Sequence, residues 1–174
     1  HEIVNDTVGE TAISVTYCPL CNTGIAFRRD FDGRLLDFGT TGRLRYSNLL
    51  MYDRQTETWW QQATGEGVVG RYAGERLDFY PVLMLPWDRA AERYADGSVM
   101  TRETGYSRSY GTNPYGGYDT SARPFLYRGP DVSSEYDPMA RVIQVVVEGE
   151  SLAVAYPVLE DERVVQREVG GVPV

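Results

Sequence analysis

Short β-rich runs, each closed by turn residues, recur along this chain, and nothing constrains its fold more. They cover Ile13 to Tyr17, Gly24 to Arg29, Arg34 to Gly39, Ser47 to Tyr52, Thr58 to Gln62 and Arg76 to Tyr80. Two more, Val142 to Glu148 and Leu152 to Tyr156, lie near the end. Alternation of this kind buries one face of a strand and wets the other. Asp32-Gly33 separates two such runs, and Gly readily takes the positive φ of a primed hairpin turn. Glu148-Gly149-Glu150 reads in the same way between two Val-rich strands. The spacing predicts a mainly β fold, of antiparallel sheets or a partly closed barrel.

One short helix is expected over Pro86 to Tyr94, opened by Pro86-Trp87-Asp88 and ended at Asp96-Gly97. Residues 103 to 138 show no sustained period and are rich in Tyr and Gly. Four tyrosines between Tyr106 and Tyr118 argue for an ordered loop, because aromatic rings bury area and pack. A long ordered loop is a frequent place for function. Ile3 to Thr11 also resembles Val164 to Val172, each reading as a strand followed by a Gly turn. On that reading residues 142 to 174 repeat the chain start, and residues 1 to 174 form a single domain.

A chain of 174 residues with 42% hydrophobic and 24% charged residues suits a soluble globular core. Its formal net charge of -8 argues against a broad surface for nucleic acid. No stretch approaches the roughly 20 apolar residues of a membrane helix. All 17 basic residues are arginine, which excludes a Schiff-base lysine and a Walker lysine. No Gly-x-Ser-x-Gly elbow or dinucleotide fingerprint occurs.

The chemistry concentrates in Cys18-Pro19-Leu20-Cys21, which holds the only two cysteines. A paired dithiol can close a small disulfide, exchange electrons or hold a metal. A thioredoxin-type centre sets its first cysteine at a helix N-terminus, whose dipole lowers the thiol pKa. Here the order reads strand, knuckle, strand, so that setting is not expected. A closed zinc site of four cysteines, or of two cysteines and two histidines, is excluded by the counts. Cys18, Cys21 and the sole histidine, His1, can still make three ligands, with Met51 or a carboxylate as a fourth. Soft sulfur with one imidazole suits copper. The rival site is aromatic: Trp59 and Trp60 point to opposite faces of a strand. Trp60 with Tyr106, Arg108, Tyr110, Asn113, Tyr115 and Tyr118 could line a pocket for a carbohydrate or other planar ligand, the cysteines then being structural.

His1 to Asp6, Thr16 to Cys21, Ser47 to Thr56, Trp60-x-Gln62-x-x-Gly65-Glu66 and Thr104 to Tyr118 together resemble the domain of unknown function 3179 family. The resemblance runs over nearly the whole chain. It implies a strand pair upstream of His1, so that this chain lacks an N-terminal hairpin. It also implies an exported or lipid-anchored setting, and it brings no activity with it. The expected function is a soft-metal or thiol-redox protein acting through Cys18 and Cys21.

Overall fold

The computed structural model describes residues 2–124, 126–131 and 135–174. Strand accounts for 38% of the chain and helix for 8%, so the fold is mainly β. Contacts group the chain into two compact units, His1–Gly116 with Leu126–Gly129, and Gly117–Phe125 with Pro130–Val174.

The larger unit is built from two four-stranded antiparallel sheets, both open. The first pairs β1 (Ile3–Val8), β2 (Thr11–Cys18) and β3 (Thr23–Arg28) as a meander. A small hairpin follows, β4 (Asp30–Phe31) and β5 (Arg34–Leu35). Its turn residues Asp32 and Gly33 have φ of 48° and 68°, as a primed turn requires. The second sheet runs in chain order through β6 (Phe38–Arg45), β7 (Asn48–Asp53), β8 (Trp59–Gln61) and β9 (Glu66–Val69). Then β10 (Phe79–Tyr80) returns to pair with β3. Helix α1 (Trp87–Arg93) falls where the sequence places it. Residues 95 to 116 carry no helix or strand.

The expected strand Arg34 to Gly39 is broken in two. Leu36 is fully buried, and Asp37 forms an ion pair with Arg29. That inward step carries the chain from the β4–β5 hairpin into the second sheet. Asn5 fastens the two sheets there, its side-chain amide donating to the Phe38 carbonyl (2.9 Å) and accepting from the Phe38 N–H (3.1 Å).

The core gathers on Trp60. Its ring meets Phe31 edge-on at 5.4 Å and lies 5.9 Å from Tyr72, and all of Phe27, Leu36 and Met51 are fully buried. Such aromatic edges add attraction beyond the area they bury. The indole N–H donates to Asp53 (2.9 Å), whose other oxygen accepts from the Thr56 N–H (2.6 Å). A buried carboxylate is tolerable here because each oxygen has a donor.

The smaller unit holds the hairpin β11 (Val142–Val147) and β12 (Glu150–Ala155), helix α2 (Tyr156–Glu162), and the short pair β13 (Glu168–Val169) and β14 (Val172–Pro173). The second helix was not expected. Leu152 to Tyr156 reads as a strand, but Pro157 sits in the first turn of a helix that starts at Tyr156, where its missing N–H costs nothing. Val169 pairs with Val172 across the last turn as Val8 pairs with Thr11 across the first, while 164 to 167 carry no strand.

Candidate functional site: a polarised dithiol

Strand β2 ends at Cys18 and β3 begins at Thr23, and these two residues face each other in the register. The chain between them must therefore reverse within Pro19-Leu20-Cys21-Asn22. Asn22 supplies the positive φ (47°) that closes the knuckle, a conformation its short polar side chain tolerates. Leu20 turns inward and is buried, which leaves Cys21 exposed while Cys18 is 1% exposed. Both cysteines are free.

A second turn meets this knuckle. Tyr46 and Ser47, between β6 and β7, both have positive φ (54° and 61°). This is the type I′ geometry, made here without glycine. It brings the Ser47 carbonyl 3.8 Å from the Cys18 sulfur. It also sets Asn48 so that its side-chain N–H donates to the Cys21 sulfur at 3.1 Å.

Asn48 is held in that orientation by a buried relay. Its Oδ1 accepts from the Ala63 N–H (2.9 Å), and its NH₂ also donates to Gln62 Oε1 (2.9 Å). Gln62 Nε2 in turn donates to Thr16 Oγ1 (3.1 Å) and to the Thr23 carbonyl (3.0 Å). The Thr16 hydroxyl donates to the Ile25 carbonyl (2.8 Å). Asn48, Gln62 and Thr16 are all buried. Every donor of both amides is used, so neither can flip without stranding a buried polar group.

The consequence for the sulfurs is asymmetric. The Cys18 thiol, donating to Cys21, stabilises a Cys21 thiolate; Thr23 and Asn48 add to this, and together they outweigh burial and bring the Cys21 pKa down to about 6. The same contact with Cys21, reinforced by burial and by the negative charge beside it, pushes the Cys18 thiol well above its ordinary value. Hydrogen bonds therefore do here what a helix dipole does elsewhere.

We expect Asn48→Ala to raise the Cys21 pKa toward that of an ordinary thiol, read as an upward shift in the pH midpoint of its alkylation. It should also cost about 1–3 kcal/mol in urea unfolding, since Gln62 Oε1 and the Ala63 N–H lose their partner.

The other residues singled out in the sequence fall elsewhere. His1 lies outside the described residues. Met51 is fully buried in β7, opposite Trp60 and Thr40 in the register. Among the described residues no group of three or more His, Cys, Asp or Glu is placed to hold a metal ion. Trp60 is fully buried with its N–H on Asp53, and its neighbour Trp59 lines an open cleft instead. In the Tyr-rich loop, Tyr106 is 71% exposed. Tyr110 shares a hydrogen bond with Thr104 (2.6 Å), and Asn113 caps its own turn through the Tyr115 N–H (2.9 Å). Among the described residues Arg108 reaches only the Ser107 carbonyl, at 3.5 Å, and Tyr118 is buried. Tyr106, Arg108, Tyr110, Asn113, Tyr115 and Tyr118 do not line that cleft.

The model of a family of proteins of unknown function, DUF3179, matches residues 1–174. The chain belongs to the DUF3179 family. No curated protein and no solved structure matches it. The Cys18–Cys21 knuckle, Asn48 and Gln62 all fall within the stretch that carries the DUF3179 match. Asn48, Gln62 and Thr16 were not read from the sequence as parts of a site, although each lies in or beside a segment that carries the resemblance.

Proposed function

We propose that this chain carries out thiol–disulfide exchange, with Cys21 as nucleophile and Cys18 as resolving thiol. The observation that carries the reading is an exposed sulfur, held by the Asn48 amide, three residues from a buried second thiol. A nucleophilic thiol works best when its pKa lies near ambient pH, because thiolate fraction and intrinsic nucleophilicity then balance.

The reaction follows from the geometry. The Cys21 thiolate attacks one sulfur of a disulfide; a new S–S bond forms, the old one breaks, and one thiolate leaves. Cys18 then gives up its proton to solvent and displaces Cys21's new partner. The second thiolate leaves, and a Cys18–Cys21 disulfide remains. Two protein thiols are oxidised and one disulfide is reduced to two thiols. A second thiol–disulfide couple running the same steps backwards restores the dithiol.

The pH dependence tests this. A lowered pKa means that Cys21 is ionised above about pH 6, so its rate of alkylation by iodoacetamide should rise through that pH and then level. Peptide mapping should find the label on Cys21 before Cys18. A midpoint near that of an ordinary thiol, or preferential labelling of Cys18, would overturn the assignment. By the same linkage, the ionised state of Cys21 stabilises the fold fully above the pKa of an unfolded thiol. That contribution is lost as pH falls through about 6.

A further inference from the structure

An open cleft of about 920 Å³ lies on the outer face of the second sheet. Alternation along β8 puts Trp59 in it while Trp60 points to the core. Its other lining groups include Arg43, Arg45, Tyr46, Ser47 and Arg128. Ser47 adjoins the dithiol: its carbonyl lies 3.8 Å from the Cys18 sulfur, and the next residue, Asn48, donates to Cys21.

Two observations give the cleft a preference. Among the described residues its arginines face a single lining acid, Glu66, and Arg45 lies 3.7 Å from it. Arg43 and Arg128 have no carboxylate partner among the described residues, in a protein of net charge -8. Arg43 lies over the Trp59 ring at 6.0 Å and Arg45 over Tyr46 at 5.3 Å, which leaves flat aromatic and guanidinium surface for a planar group.

We propose that this cleft binds a small disulfide bearing carboxylates and delivers its sulfurs to Cys21. The inference rests on the exchange reading above and names its substrate class. The volume matches a small molecule. The arginine forks match carboxylates, which they can grip through two parallel hydrogen bonds.

Two aromatic disulfides separate the charge preference from the chemistry: 5,5′-dithiobis(2-nitrobenzoate), with two carboxylates, and 4,4′-dithiodipyridine, which is neutral. Each reports the first step directly, as the Cys21 thiolate forms a mixed disulfide and releases one chromophoric thiolate or thione. In the double variant Arg43→Gln, Arg128→Gln, the ratio of the anionic to the neutral rate constant should fall about tenfold relative to the native chain. Added salt should lower the same ratio in the native chain. Reaction with the neutral disulfide shows that the variant has folded and kept its dithiol. An unchanged ratio in the variant would overturn the cleft assignment and leave the exchange reading standing. Failure of the native chain to react with either disulfide would overturn the exchange reading itself.

Discussion

We expect Cys21→Ser to lower the rate of reaction with a neutral disulfide by at least about a hundredfold, and Cys18→Ser to complete the first step of the proposed exchange and stop there. The difference follows from what each sulfur can reach. Only Cys21 is exposed and held as a thiolate by Cys18, Thr23 and Asn48. A serine hydroxyl in its place is a far weaker nucleophile at neutral pH. Cys18 is buried and its thiol is pushed upward, so it cannot start the exchange. On the proposed exchange it acts only once Cys21 has become half of a mixed disulfide, which removes the neighbouring negative charge. In Cys18→Ser that mixed disulfide should persist, seen by mass spectrometry as an adduct on Cys21 that excess thiol removes. Cys18→Ala should also raise the pH midpoint of Cys21, because it deletes the strongest donor to the thiolate. Serine, which can still donate, should raise it less. Equal activity of the Cys21 and Cys18 variants would contradict the assigned order of steps.

The largest stability effect is expected at Trp60. Trp60→Ala should lower the free energy of unfolding by about 3–5 kcal/mol, read from urea denaturation. The ring is fully buried between Phe31, Phe38 and Tyr72, and its removal leaves a cavity that the two sheets cannot close without breaking their ladders. Trp60→Phe should cost less, about 1–3 kcal/mol, through loss of the N–H donated to Asp53. Trp59→Ala, at a residue that faces the cleft, is the control: a loss as large as that at Trp60 would mean that the two indoles have been assigned to the wrong faces.

Much of the strand order could be read from local pattern because a strand's alternation is local. The runs around Ile13, Gly24, Ser47, Thr58 and Val142 fall on β2, β3, β7, β8 and β11, and Asp32-Gly33 makes its hairpin. The Tyr46-Ser47 turn left no such trace, since neither residue is the Gly or Asn that usually marks positive φ. Helix α2 was hidden because Ala155-Tyr156-Pro157 reads equally as the end of a strand or as a helix start. At the site, two cysteines three residues apart announce themselves. What makes them unequal does not: Asn48 reaches Cys21 across 27 residues of chain, and Gln62 reaches Thr16 across 46. No periodic signal links positions so far apart. The Trp59/Trp60 alternation was legible, but which indole faces inward depended on β7 and β9.

The relay through Asn48, Gln62 and Thr16 has a direction. Protons are donated from Asn48 to Gln62, from Gln62 to Thr16 and to the Thr23 carbonyl, and from Thr16 to the Ile25 carbonyl. The Ala63 N–H pins the other end by occupying Asn48 Oδ1. Reversing any link would leave a buried donor facing a donor, so Asn48 always shows Cys21 hydrogen and never a lone pair. When Cys21 takes up a proton, that proton must turn away from Asn48, and the Cys18 carbonyl, 4.0 Å from the sulfur, is the acceptor on offer. The knuckle is thus wired for an electron-rich sulfur, and the wiring runs through both sheets.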